Sequence, residues 1–575
     1  MTTRKVPKHL RKYTIEQNYD SYTAINHAVW RYVMRQNHHT LKDLAHEAYI
    51  EGLQASGIST EKIPDVNEMN RCLAPFGWGA ATIDGFIPGV AFFEFQANGI
   101  LPVVAEIRKL ENIQYTPAPD MIHEAAGHAP ILCNEKYSEY VKLFGEIGKK
   151  AIATKEEHDV FEAVRHYSNL LEKGEATETE IANAKKQIDE KSKLISGVSE
   201  AEKIGRLYWW TVEYGLIGSL EEPKIYGAGL LSSVSEGGNI LSPDVKKVPF
   251  DLKTIINTGF DITKPQPQLF VCNHFEQLIE GLKEFAKEMA FMKGGSESLE
   301  KAIQSANVAT AVYSSGLQVT GVIQDMITDE ENEPIYIKTK GATALAHNDK
   351  ELSEHGTQTH KDGFGAPVGK LKGINQPLEI LSDSEMESLG IAVGQSCELH
   401  FESGVEVKGT VEQIVKEGAN VILISFKNCL VKYRNQVLFE PNWGMYDMAV
   451  GEKISSVFAG AADGETYYPD EESSSKITHN QEQTELDDLY QTIRNVREGI
   501  EENPIDVIEK VSKDLNDKYP NDWLLKLEII EILHQQQWLP KLEAEILSDL
   551  QRLSKNNRTI TALIENGLKI YQTKI

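Results

Sequence analysis

The chain has 575 residues, with 59 Lys and Arg against 86 Asp and Glu, for a net charge of −27. That length exceeds one ordinary core and points to a large domain followed by one or two smaller ones. An acidic field of this size repels phosphate backbones and anionic lipid, so nucleic acid and membranes are not expected partners. Met1-Thr2-Thr3-Arg4-Lys5 is followed by no apolar run, and no uncharged stretch approaches the roughly 20 residues of a membrane helix. A cytoplasmic protein is expected. The five cysteines, Cys72, Cys133, Cys272, Cys397 and Cys429, are scattered without a CxxC pair and read as reduced thiols in packed positions.

From about Tyr22 to Gly57 the apolar residues recur at helical spacing, as in Val29, Tyr32 and Val33, and Pro64-Asp65 opens another short helix. The Gly-rich aromatic stretch from Phe76 to Gly89 reads as a loop that shapes a pocket. Residues Tyr137 to Gly205 carry dense Lys and Glu at helical spacing, broken near Gly174. Phe275 to Met289 and Ser296 to Val312 read as two further helices. Beyond about Gly316, short β-branched runs such as Val405–Val411 and Asn420–Phe426 alternate with turn residues, which predicts a β-rich region ending near Gly464. After the polar run Asp470–Ser475 the chain returns to helical spacing, with Leu524, Leu525, Leu527, Ile529, Ile530 and Ile532 supplying apolar faces. Those faces need cover, from a second copy or from the chain itself.

The most informative residues are His123 and His128, in Pro119-Asp120-Met121-Ile122-His123-Glu124-Ala125-Ala126-Gly127-His128, together with Glu213 in Thr211-Val212-Glu213-Tyr214-Gly215. Two imidazoles and one carboxylate can hold iron on one face and leave the opposite positions open. On a regular α-helix, residues five apart lie about 140° apart, so the pair does not share a face as the histidines of HExxH do. Gly127 and Pro130 are expected to loosen or end the helix and let His128 swing round. Asp120 is expected to orient an imidazole by accepting its second N–H. Glu124 reads equally as an acid-base or cofactor group and as a solvated carboxylate. Glu213 follows the apolar Tyr208-Trp209-Trp210, where an unpaired carboxylate is costly. Taken alone, an HxxxxH pair also fits two hydrogen-bonded packing histidines.

Three ordered motifs carry a resemblance. Tyr115–His128, Trp209–Leu216 and Tyr226–Ser233, with Gln266–Val271 after them, resemble the pterin-dependent aromatic amino acid hydroxylases, phenylalanine 4-monooxygenase-like, over about residues 10 to 300. The resemblance implies Fe(II) held by His123, His128 and Glu213, with Ser232 bonded near the first histidine. It implies Arg108 on the substrate carboxylate, with Asp120 holding that arginine, and Tyr115, Thr116, Trp209, Ser232 and Val271 lining the amino-acid pocket. For tetrahydrobiopterin or a related tetrahydropterin it implies Phe86 as stacking ring, the backbone of Gly79, Ala81 and Ile83 at the polar edge, and Glu124 and Glu236 beside the cavity. Glu124 and Glu213 are the implied catalytic carboxylates.

The sequence departs from the family where Leu101-Pro102-Val103 replaces a usual histidine-bearing stretch, and where the interval from His128 to Glu213 is longer than usual. The expected architecture is a mainly α catalytic domain of the aromatic amino acid hydroxylase type over 1–315, with a charged helical insertion at about 149–203. A small β-rich domain over 316–465 and a helical C-terminal region over 476–575 follow it. The expected function is a monooxygenase that uses O2 and the pterin to hydroxylate an aromatic amino acid, L-phenylalanine to L-tyrosine. Tyrosine or tryptophan hydroxylation, a zinc hydrolase and a catalytically inactive scaffold are the alternatives. The oligomeric state is not legible.

Overall fold

The computed structural model describes residues 4–83, 85, 87–113, 120–173, 176–233, 236–240, 242–261, 264–469 and 483–572. The N-terminal lobe is built round the helix Ala24–Leu41, whose N-terminus is closed by a reciprocal Thr23–Asn26 cap. Asp65 caps the helix Val66–Leu73 by accepting from the N–H groups of Asn67 and Glu68, as the Pro64-Asp65 signal predicts. Strand β1, Gly79–Ile83, pairs in parallel with β2, Ile100–Val104, across the helix Gly89–Ala97. The expected pocket loop is therefore corrected in its first part. Gly79, Ala81 and Ile83 sit on a strand, because Trp78, Ala80 and Ile83 have core to pack against.

The charged interval forms two helices packed side by side, Lys155–Lys173 and Glu178–Ser192, before the helix Glu200–Tyr208. A small sheet of β3 (Leu216–Gly218), β4 (Pro223–Ile225), β5 (Lys246–Pro249) and β6 (Gln268–Cys272), in the order β4-β3-β6-β5, backs the ligand-bearing segments. The helix Phe275–Ala286 follows. The helix expected over Ser296–Val312 ends at Ser305, and Val308 already opens a strand. Ala309, Thr310 and Ala311 are all buried in it, so no apolar alternation marked the strand in the sequence. The β region thus begins ahead of the expected boundary at 315/316.

That region comprises β7 (Val308–Tyr313), β8 (Leu317–Thr328), β9 (Pro334–His347), β10 (Lys350–Glu351), β11 (Gly365–Pro367), β12 (Ser396–His400), β13 (Val405–Glu417), β14 (Asn420–Tyr433), β15 (Gln436–Phe439), β16 (Tyr446–Ala449) and β17 (Ile454–Ala459). One antiparallel sheet runs β10-β9-β8-β7-β17 with β11 on β9, and the other runs β12-β13-β14-β15 with β16 on β14. Strand β14 is apolar on both faces and feeds both cores, Val421 and Ile424 into one and Ile422 into the other.

The C-terminal helices, from Glu485–Arg497 to Arg558–Ile570, pack on the chain itself. Leu524, Leu525, Ile529, Ile530 and Leu533 of the helix Trp523–Gln536 share one core with Val29, Trp30 and Val33. Beside that seam Arg31 is buried against Glu528 and Glu531, at 2.8 and 2.5 Å, and Arg35 reaches Glu531 at 3.1 Å. The Tyr32 hydroxyl donates to the Leu563 carbonyl at 2.7 Å. All five cysteines are free, and among the described residues no helix is long and apolar enough to cross a membrane.

Candidate metal centre

Residues Ile122–His128 wind as a π-helix. Hydrogen bonding from i to i+5 brings residues five apart about one turn above each other. His123 and His128 therefore project from one face, with ring centroids 5.0 Å apart and planes at 87°. The expectation that Gly127 and Pro130 loosen or end an α-helix is corrected: the helix stays wound, and its wider winding aligns the rings. Gly127 serves close packing, since a Cβ there would stand 2.6 Å from the Ala228 carbonyl oxygen.

Glu213 closes a second π segment, Trp209–Glu213, that continues the Glu200–Tyr208 helix. Its Oε2 lies 3.2 Å from His123 Nε2 and its Oε1 3.2 Å from His128 Nε2. All three ligand atoms lie within 4.8 Å of one another. Ser232 donates its hydroxyl to the Ala228 carbonyl at 2.7 Å, so it accepts from His123 Nδ1 at 3.1 Å. That bond assigns a proton to Nδ1 and turns Nε2, the atom left to meet a metal, toward the carboxylate.

Burial alone would lower the His123 pKa, but the Glu213 carboxylate overrides it and pushes it up to about 9. Burial opposes ionisation of Glu213 too, yet the two imidazoles hold it well below the usual carboxylate range. These groups select positive charge among them, which a divalent ion supplies. The donor set thus fits a metal with open positions.

Glu124 is buried, with Oε2 3.9 Å from His128 Nε2 and without a hydrogen-bond partner among the described residues. Burial pushes its carboxyl up, toward the neutral acid. Burial also raises Glu236, opposed by the Gln266 N–H at 3.4 Å and the Tyr214 hydroxyl at 3.3 Å. An unpartnered buried carboxyl oxygen suits the N–H edge of a heterocycle such as a pterin.

Arg108 grips Asp120 with Nε and one terminal nitrogen, both at 2.8 Å, and with its backbone N–H at 2.9 Å. Burial would raise the Asp120 carboxyl, and the guanidinium beside it holds it down. Asp120 also accepts the His123 backbone N–H at 3.1 Å. The expectation that it takes an imidazole N–H is corrected, because Ser232 occupies that nitrogen. Trp209 stacks on Phe260 with centroids 4.3 Å apart and planes at 11°, and its Nε1 lies 3.4 Å from Gln266 Oε1. Val271 is buried on β6.

Of the expected pterin contacts, Ile83 packs with Leu10, Phe95 and Val104 in an apolar cluster separate from the core of the ligand helices. Pro102 pairs with Ala81 across β1 and β2. Phe86, Tyr115 and Thr116 lie outside the described residues. Sequence reasoning gave no role to Gln266, Tyr214 or Phe260. Gln266 opens the motif run Gln266–Val271, which was a usable signal, whereas nothing in the sequence marked Phe260.

A family model described as biopterin-dependent aromatic amino acid hydroxylase matches residues 11–174 and 175–294. The phenylalanine-4-hydroxylase of Chromobacterium violaceum is 30% identical over 285 residues, covering 49% of this chain and 81% of that protein. The phenylalanine-4-hydroxylase of Pseudomonas aeruginosa is 28% identical over 277 residues, covering 48% of this chain and 88% of that protein. A crystal structure of the Chromobacterium violaceum enzyme with iron(III) and 7,8-dihydrobiopterin aligns over 48% of this chain and 86% of that one, at 27% identity and a TM-score of 0.38.

Proposed function

The chain belongs to the biopterin-dependent aromatic amino acid hydroxylases, and from that premise we propose that it converts L-phenylalanine to L-tyrosine in the cytoplasm. It is an oxidoreductase of the monooxygenase type and uses iron and a biopterin. The preference for phenylalanine is supported by relatives such as the Chromobacterium violaceum and Pseudomonas aeruginosa phenylalanine-4-hydroxylases.

In this reading His123, His128 and Glu213 hold Fe(II). Iron and tetrahydropterin together supply the activation of dioxygen, one atom of which enters the ring while the other leaves as water, with two electrons from the pterin. The chain's own part is placement and exclusion of water. Ser232 keeps the His123 proton on Nδ1. Asp120 ties the Arg108 guanidinium to the backbone of His123, so the group that receives the substrate carboxylate is fixed to the first ligand by one carboxylate. A planar fork suits that task. Trp209 and Val271 supply apolar walls for the ring. Glu124, whose carboxyl burial pushes up, would offer Oε2 to a bound pterin.

The observation that carries the reading is the convergence of two π-helical histidines on Glu213. Its test is anaerobic reconstitution with Fe(II), followed by oxygen, a tetrahydropterin and each aromatic amino acid in turn. Tyrosine is expected from phenylalanine. Preferential hydroxylation of tyrosine or tryptophan would replace the substrate assignment, and no pterin-dependent product from any of the three would overturn the reading.

A further inference from the structure

A second pair of histidines with the same spacing lies in the β region. His355 and His360 sit in the segment between β10 and β11, and Asp447 lies on β16. All three are more than nine-tenths buried, at 6%, 8% and 7% exposure. Backbone bonds hold the histidine segment on β9: the Leu345 N–H donates to the His355 carbonyl at 2.9 Å, and the Thr343 N–H to the His360 carbonyl at 3.0 Å. Asp447 is fixed by its register opposite Ser425 on β14, whose hydroxyl donates to Asp447 Oδ1. Its other oxygen, Oδ2, points at the histidines.

Asp447 Oδ2 is 3.5 Å from His355 Nδ1 and 3.5 Å from His360 Nε2. Neither ring nitrogen has a hydrogen-bond partner among the described residues. The rings lie nearly parallel, with planes at 13° and centroids 5.9 Å apart, and the three donor atoms fall within 4.8 Å of one another. Buried imidazole nitrogens without partners cost stability, so two of them facing one carboxylate oxygen need an explanation.

We propose that His355, His360 and Asp447 bind a divalent transition-metal ion, zinc(II), distinct from the iron of the hydroxylase centre. Zinc binds imidazole nitrogen and carboxylate oxygen at about 2.0–2.2 Å, which for tetrahedral geometry separates neighbouring donors by about 3.4 Å. The two measured separations of 3.5 Å match that edge. The Ser425 hydroxyl on the remaining carboxylate oxygen is the support that metal-bound carboxylates receive. With two donors on the segment packed against β9 and one on β16, the ion joins the two sheets of the β region. It is a cross-link, with a water completing its coordination.

The test uses the full chain with the hydroxylase ligands removed, His123→Ala with Glu213→Ala, so that any tight site left is the second one. After chelation and dialysis this protein is titrated with zinc(II), with metal content read by mass spectrometry and coordination by zinc K-edge absorption. A single zinc per chain is expected, with two imidazoles among its ligands, a rise of several degrees in the thermal midpoint, and at least tenfold weaker binding after Asp447→Asn or His360→Gln. Circular dichroism establishes that those variants fold. Absence of stoichiometric zinc in the doubly substituted chain, or equal binding after Asp447→Asn, overturns the proposal. Hydroxylation by the unsubstituted chain is scored separately and bears only on the iron site.

Discussion

Two His-x-x-x-x-His pairs, each completed by a distant carboxylate, stand in different surroundings. The first is carried by a π-helix, and its carboxylate gives one oxygen to each imidazole. The outer nitrogen of His123 is tied to Ser232, and Glu124, whose Oε2 has no hydrogen-bond partner among the described residues, sits at its edge. The second is carried by a segment laid along a strand, and one oxygen of Asp447 faces both rings. The donor chemistry is the same in both. What separates a reaction centre from a cross-link is what surrounds the donors: the Arg108–Asp120 pair and the aromatic wall of Trp209 and Phe260 at the first, and packed sheet at the second.

The largest effect that separates the two is expected from Glu213→Ala, which should abolish tyrosine formation, by more than about 10³-fold, and remove the iron while leaving the zinc site filled. Tyrosine yield and metal content measured on one sample check both halves. Ser232→Ala should weaken iron binding about 10- to 100-fold, the usual cost of losing the bond that orients a ligating imidazole. Calorimetric titration with Fe(II) under anaerobic conditions reads it. Gly127→Ala drives a Cβ toward the Ala228 carbonyl oxygen, a backbone atom that cannot swing away. A loss of about 1–3 kcal/mol of stability is expected in chemical denaturation.

The pH dependence follows from His123. With its pKa pushed up to about 9 in the metal-free protein, the ring carries a proton at neutral pH that iron must displace. Iron affinity should therefore rise about tenfold per pH unit between 7 and 8. The metal-free protein should behave in the opposite sense, since a raised pKa stabilises the fold fully below the ordinary value of 6.5 and loses that contribution as pH rises through about 9. Parallel titrations and melts at pH 7 and 8 check both signs. The smallest effect is expected at Gly356, next to His355, where the atoms nearest an added Cβ belong to the movable end of the Glu351 side chain. Gly356→Ala should change stability by less than about 0.5 kcal/mol.

The sequence carried the donors of the first centre because motif order and residue type mark them, and Ser232, Arg108 and Asp120 came with the same motifs. It did not carry the winding. Apolar periodicity reports which face is buried, whereas a shift from i+4 to i+5 bonding changes no residue type. The spacing of five, awkward for an α-helix, was the one visible trace. The second cluster was illegible because no motif marks Asp447, and only the pairing of β16 with β14 brings it near. For the C-terminal helices the apolar faces were plain, but the surface they cover was not. Nothing in the sequence marks Arg31 and Arg35 as partners of Glu528 and Glu531, which only the packing of the C-terminal helices brings beside them.

That last pairing bears on how the protein is made. Glu528 and Glu531 leave the ribosome 497 and 500 residues after Arg31. Until they arrive the Arg31 guanidinium keeps its pair with Glu61, at 2.6 Å in the same lobe, while the apolar flank Val29 to Val33 lacks the cover of the helix Trp523–Gln536. A hydroxylase lobe made without the helix Trp523–Gln536 would have that flank bare.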